Sequence, residues 1–163
     1  MSAKQELLAL LNSANGRSYT EAQISFGVPA VAAEPTAEFN TEVVVSGESA
    51  AGYTGTKTIK YKRLDLATTF AGHAQVSAGP ETDGTLQEVL DDIFAATGVR
   101  IFPEDLSNSA IVDFTQPSVT LTAAEGSYKW TGSVVVTTSV DLRDVGQEIT
   151  TDTLPGFEYP TIA

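Results

Sequence analysis

The chain has no cysteine and a single histidine, His73. Without thiols it can form neither a disulfide framework nor a thiolate zinc site, and it has no cysteine nucleophile. One imidazole cannot build the histidine cluster usual in a catalytic zinc centre. Positive charge is also scarce: 9 Lys+Arg face 21 Asp+Glu, for a net charge of -12. That balance argues against a sequence-independent grip on nucleic-acid phosphates. No apolar run approaches the roughly 18 residues of a membrane span. What is present is a chain of 163 residues, 42% of them hydrophobic, enough for one soluble domain that buries ~68–70% of its unfolded-chain surface. Residues 1–5 run directly into an amphipathic pattern without a secretory apolar stretch, so synthesis in a cytoplasm is expected.

Two helices are legible. Leu7, Leu8, Leu10, Leu11 and Ala14 recur at helical spacing, with Ser2 and Gln5 spaced as a capping box and Gly16 as the stop, predicting a helix over 3–15. Thr85 and Glu88 repeat the cap before Leu86, Val89, Leu90, Ile93 and Phe94, and Gly98 ends a second helix over 86–97. A shift of 82 positions lays Gln5 on Gln87, Glu6 on Glu88, Leu8 on Leu90, Ala14 on Ala96 and Gly16 on Gly98. The pairing resumes at a shift of 77, where Glu48 meets Glu125 and Tyr53-Thr54-Gly55 meets Trp130-Thr131-Gly132, and slips once more to bring Asp65-Leu66 onto Asp141-Leu142. The chain thus reads as two copies of one helix, turn and β-hairpin unit, about 3–66 and 85–142. The first copy has the longer linker, an extended connector over 28–37 with two prolines.

Strands follow from period-two alternation. They are expected near 42–46, 56–66, 110–114, 119–122 and 134–142, with long hairpin loops at 46–52 and 123–129. The fold class is therefore α+β: an antiparallel sheet with two packed helices in a single domain over 1–149. The last residues, 150–163, lack periodicity and read as an extended C-terminal arm. Leu154, Phe157 and Tyr159 on it either fold back or dock on a neighbour.

The residue types that carry chemistry do not converge. His73 has no nucleophile motif near it and reads as a loop histidine. Asp91-Asp92 point in different directions on a helix, and Glu81-Thr82-Asp83-Gly84 offers too few oxygens for calcium. No catalytic residue, metal or cofactor is expected. Exposed aromatics such as Tyr19, Tyr128 and Trp130 could stack on a sugar, although Trp130 at a strand start suits a core. The sharpest charge feature is Lys57, Lys60, Lys62 and Arg63, four of the nine basic residues. It serves either to discourage edge-to-edge aggregation or to meet an acidic partner, such as another copy of this chain.

The stretch Gly52-Tyr53-Thr54-Gly55 through Tyr61-Lys62-Arg63-Leu64-Asp65-Leu66-Ala67, with Leu86-Gln87-Glu88-Val89-Leu90 and Thr97-Gly98 through Glu104-Asp105-Leu106, resembles small virion structural proteins of large tailed bacteriophages. The resemblance covers roughly 40–142. It implies a non-enzymatic particle component, most simply a head decoration or stabilisation protein, located in the virion and present in many copies. Its partners would be other virion proteins and copies of itself, not nucleic acid or membrane. A neck or tail component, or a secreted or cell-surface carbohydrate- or protein-binding module, are the alternatives.

Overall fold

A computed structural model describes residues 1–73, 75–78 and 83–140. In chain order the elements are α1 (Ala3–Asn15), β1 (Ile24–Phe26), β2 (Ala30–Val31), β3 (Thr41–Gly47), a 3-10 turn Ser49–Ala51, β4 (Thr56–Tyr61), β5 (Leu64–Asp65) and α2 (Leu66–Thr69). There follow β6 (Gln75–Ala78), β7 (Asp83–Thr85), α3 (Leu86–Thr97), a 3-10 turn Pro103–Asp105, β8 (Ile111–Asp113), β9 (Ser118–Thr122), β10 (Trp130–Thr131) and β11 (Ser133–Val140). The fold is α+β.

The two long helices start and stop where their caps predict. Ser2 Oγ accepts from the Gln5 amide and Gln5 Oε1 from the Ser2 amide, at 3.3 and 3.1 Å. Thr85 and Glu88 do the same for α3, which satisfies amides that an N-terminal turn leaves without carbonyl partners. Both helices end on a left-handed glycine, Gly16 at φ 59 and Gly98 at φ 72.

β3 is the centre of the first sheet, with β4 antiparallel on one side and β1 then β2 on the other. In the second sheet β11 lies between β9, antiparallel, and β6, parallel. Three backbone bonds of the two hairpins correspond. Gly47 donates to Gly55 as Ala123 does to Gly132; Glu48 donates to Gln23 as Ala124 does to Asp105; Ala51 donates to Glu48 as Ser127 does to Ala124. Register agrees: Ser46 faces Thr56 and Thr122 faces Ser133, while Ile24 opposite Gly47 corresponds to the bridge of Leu106 with Ala123. The bonds move one correspondence, since Glu48 matches Ala124 rather than Glu125; the second loop carries its extra residue between there and Trp130.

One core dominates. Val89, Leu90 and Ile93 of α3 meet Leu121, Trp130, Val134 and Val136 of the second hairpin, and Leu66 and Phe70 close the assembly from the first. Phe70 and Trp130 pack at 5.7 Å between ring centroids.

Three features depart from expectation. The strand expected over 56–66 stops at Tyr61, resumes as β5, and turns into α2 because Asp65 caps it, its Oδ1 accepting from the Thr68 amide at 2.8 Å. The connector 28–37 contains β2, whose Ala30 and Val31 pair with Glu42 and Thr41. The sheets are not purely antiparallel, since β5 runs parallel to β10 and β6 parallel to β11. Parallel pairing needs a crossover connection, and here it joins stretches over sixty residues apart, which period-two patterning does not reveal. The C-terminal arm, with Leu154, Phe157 and Tyr159, lies outside the described residues.

Candidate contact surface and the buried arginine

β4 is an edge strand: among the described residues it pairs with β3 alone. Lys57 and Lys60 are both exposed, Lys57 on the strand face of half-buried Ile59 and Tyr61 and Lys60 on the opposite face. The sequence-predicted basic cluster divides. Lys60 lies over the Phe39 ring, 4.9 Å from its centroid, and Lys62 Nζ donates to the Ala37 carbonyl at 3.0 Å. Lys57 stands exposed beside a groove described below. Such lysines blunt an open edge against indiscriminate pairing.

Arg63 does not belong to that surface. It is 7% exposed, which corrects its expected place as a partner contact. The chain leaves β4 at Tyr61, and Asn40 clamps the Arg63 backbone, accepting from its amide at 2.8 Å and donating to its carbonyl at 2.9 Å. The side chain is thereby turned inward. Its Nε donates to Thr41 Oγ1 at 2.9 Å and Nη1 to the Ser127 carbonyl at 3.0 Å, so one guanidinium ties the first hairpin to the loop of the second. Burial draws its pKa below the ordinary arginine value, with Tyr61 acting the other way. Burial likewise pushes the Tyr61 hydroxyl up to about 12, against the pull of Arg63.

Ser127 continues the network: its Oγ donates to Asp105 Oδ1 at 2.9 Å and accepts from the Trp130 amide at 3.1 Å. Among the described residues, Asp105 Oδ2, Tyr61 Oη and Trp130 Nε1 are buried without a partner. A cavity of about 550 Å³ lies between Val28–Val31 and the second hairpin, with Arg63 and Trp130 in its lining. Polar groups in such a place are costly unless satisfied, so this network is a joint between the two halves. Sequence reading missed it because Arg63 stands in a run of basic residues and looks like one more surface charge.

Burial raises the Asp105 carboxyl pKa, and the Ser127 hydrogen bond pulls it back in part. The folded chain therefore holds that proton more tightly than the unfolded chain, whose aspartate ionises near 3.8. Stability is expected to fall as pH rises from there and to level off above the folded value. Asp105→Asn keeps an acceptor for Ser127 and should flatten that component. Urea midpoints of both proteins from mildly acidic to neutral pH check this; parallel curves would remove Asp105 from the pH dependence.

The remaining candidates are dispersed. His73 sits in an exposed turn, and Asp91 and Asp92 are exposed on α3, Asp91 3.7 Å from Arg100. Among the described residues no group of three or more metal-ligating side chains forms. Trp130 is wholly buried and cannot stack on a ligand at the surface. Tyr128 donates to the carbonyls of Phe26 and Gly27, both at 3.2 Å. Leu154, Phe157 and Tyr159 fall outside the described residues, and nothing here brings them to the lysines.

The second cavity, about 590 Å³, opens between α1 and the first hairpin. Leu11, Tyr19, Ile24, Val45, Tyr53 and Ile59 give it apolar walls, and Arg17 and Lys57 stand at its lining. Among the described residues, neither cation lies within ion-pair distance of a carboxylate.

No helix among the described residues is long and apolar enough to cross a membrane. No curated protein and no solved structure matches the chain. A family model matches residues 1–163, and the chain belongs to that family, the family of unknown function DUF7941.

Proposed function

We propose that this protein is a non-enzymatic structural component of a tailed-phage virion, most simply a head decoration or stabilisation protein, that works through lateral protein contacts. The observation that carries the contact role is the open edge of β4 beside a half-covered apolar groove. Backbone donors and acceptors on such an edge accept a further strand, and flanking pockets select its side chains. Exposed apolar residues add contact area elsewhere: Val31 is 73%, Ile111 69% and Val135 59% exposed. The matched bonds of the two hairpins support an internal duplication, which supplies one chain with two similar contact units. The virion itself enters through the resemblance of the 52–67 and 86–106 stretches to phage structural proteins.

Mass spectrometry of purified virions, with imaging to locate the chain, tests this reading. The chain is expected in the particle at high copy number, on the head. Its absence from the particle would overturn the reading, and a position on the neck or tail would keep the contact role while changing the site.

A further inference from the structure

The two units bury unequal fractions of the same positions. In the second, Leu90, Ile93, Leu121, Trp130 and Val136 are all at most 2% exposed. Their counterparts by helix alignment and hairpin register are Leu8, Leu11, Val45, Tyr53 and Ile59, and each is only half-buried. Four of those five line the 590 Å³ groove.

What differs is the cover. The second unit is closed by the run that leaves the first hairpin. In that run β5 pairs alongside Trp130–Thr131, α2 sets Leu66 and Phe70 on the core, and β6 pairs with the outer edge of β11. Among the described residues no such run packs against the first unit. Accordingly its groove is open, and β4, the counterpart of β11, has an empty outer edge among the described residues.

The sequence repeats the cover as well as the units. Asp65-Leu66, which start α2, recur as Asp141-Leu142 directly after β11, so residues 140–154 stand to the second hairpin as 64–78 stand to the first. We propose that residues 140–154 of a second copy close the groove and the β4 edge, so that copies join head to tail. Leu142 takes the place that Leu66 holds, and the residues after it add a strand beside Thr56–Tyr61. Charge agrees with this occupant. Asp141, Asp144, Glu148 and Asp152 outnumber Arg143 in the run, and the groove offers Arg17 and Lys57, where the second unit has Val99 and Val134. The match departs at Phe70, whose counterpart is Gly146; on the groove wall Tyr19 already packs edge-on against Tyr53, at 5.8 Å.

Such a contact is heterologous, because the patch that gives differs from the patch that receives, and it generates a ring or an open chain. The proposal deepens the reading of a contact protein and rests on it only for the idea that copies meet. It is tested in solution, so its outcome is separate from where the chain sits in a particle.

The experiment is sedimentation velocity on the full-length chain and two variants, Leu142→Glu in the giving segment and Ile59→Glu in the groove. Wild type is expected to grow beyond a monomer as concentration rises, and each variant alone to stay monomeric. Mixed in equal amounts, the two should form a one-to-one dimer and nothing larger, since the Leu142→Glu copy keeps an intact groove and the Ile59→Glu copy an intact segment. Misfolded variants could not complement each other in this way. Lys57→Glu, at an exposed position, should weaken wild-type association at least about fivefold. A monomeric wild type, continued self-association of Leu142→Glu, or a mixture that stays monomeric would each overturn the proposal.

Discussion

Trp130→Ala is expected to cost about 3–5 kcal/mol, the range for truncating a buried aromatic without collapse of the space it leaves. Collapse is hindered on every side. Phe70 packs on one face of the indole, and the same core cluster holds α3 and the β11 side chains. Behind the ring, the Trp130 amide is fixed to Ser127 Oγ, so the backbone cannot follow the lost volume. The loss should appear as a lower urea midpoint at unchanged slope, with Phe70 becoming accessible to solvent. Trp130→Phe keeps most of the volume and removes an indole N–H that has no partner among the described residues, so it should recover most of the loss. A Trp130→Ala chain within about 1 kcal/mol of wild type would mean that this core is not the centre of stability.

Arg63→Ala is the second large effect, at about 2–5 kcal/mol. Thr41 Oγ1 and the Ser127 carbonyl both lose a donor in a buried setting, and each stranded group costs about 1–3 kcal/mol. The aliphatic stem of the arginine is lost with them. Arg63→Lys should rescue little, because one ammonium cannot reproduce the two directed bonds of a guanidinium fork. The comparison separates a directed joint from a mere need for positive charge: full rescue by lysine, read from urea unfolding, would show that charge alone matters. Lys60→Ala, also in the basic run but exposed, should stay within about 0.5 kcal/mol of wild type.

The contrast between those two residues shows where sequence reading stops. Both helices were legible to the residue, because a cap, a 3.6-residue stripe and a terminal glycine are local signals and all three agree. The hairpins were legible because Val134, Val136 and Thr138 alternate with exposed neighbours along β11. The spacing of Tyr53-Thr54-Gly55 and Trp130-Thr131-Gly132 also pointed to the like turns of the two hairpins, where Gly47 and Ala123 donate to Gly55 and Gly132. Arg63 did not, since its burial depends on Asn40 turning the backbone and on Ser127 receiving the guanidinium, partners 23 and 64 positions away. The β5–β10 and β6–β11 pairs were hidden for the same reason, and α2 because a four-residue helix is too short to show a period. Of the expected contact residues, Lys57, Lys60 and Lys62 lie at the surface, and the groove beside Lys57 appears only when α1 and the hairpin are seen together.

The crossing of chain between the two halves also sets when the molecule can form during synthesis. Leu66 and Phe70 are made first, and their partners Leu121, Trp130 and Val136 follow only after fifty or more further residues. Until then the α2 segment has no core to join, and a nascent chain that stops short of β11 exposes both. Closing contacts over such separations must first overcome loop entropy, which places folding at the slower end for a domain of this size. The same pairing that makes the mature core continuous therefore leaves the growing chain with an unfilled apolar run until β9 to β11 have been made.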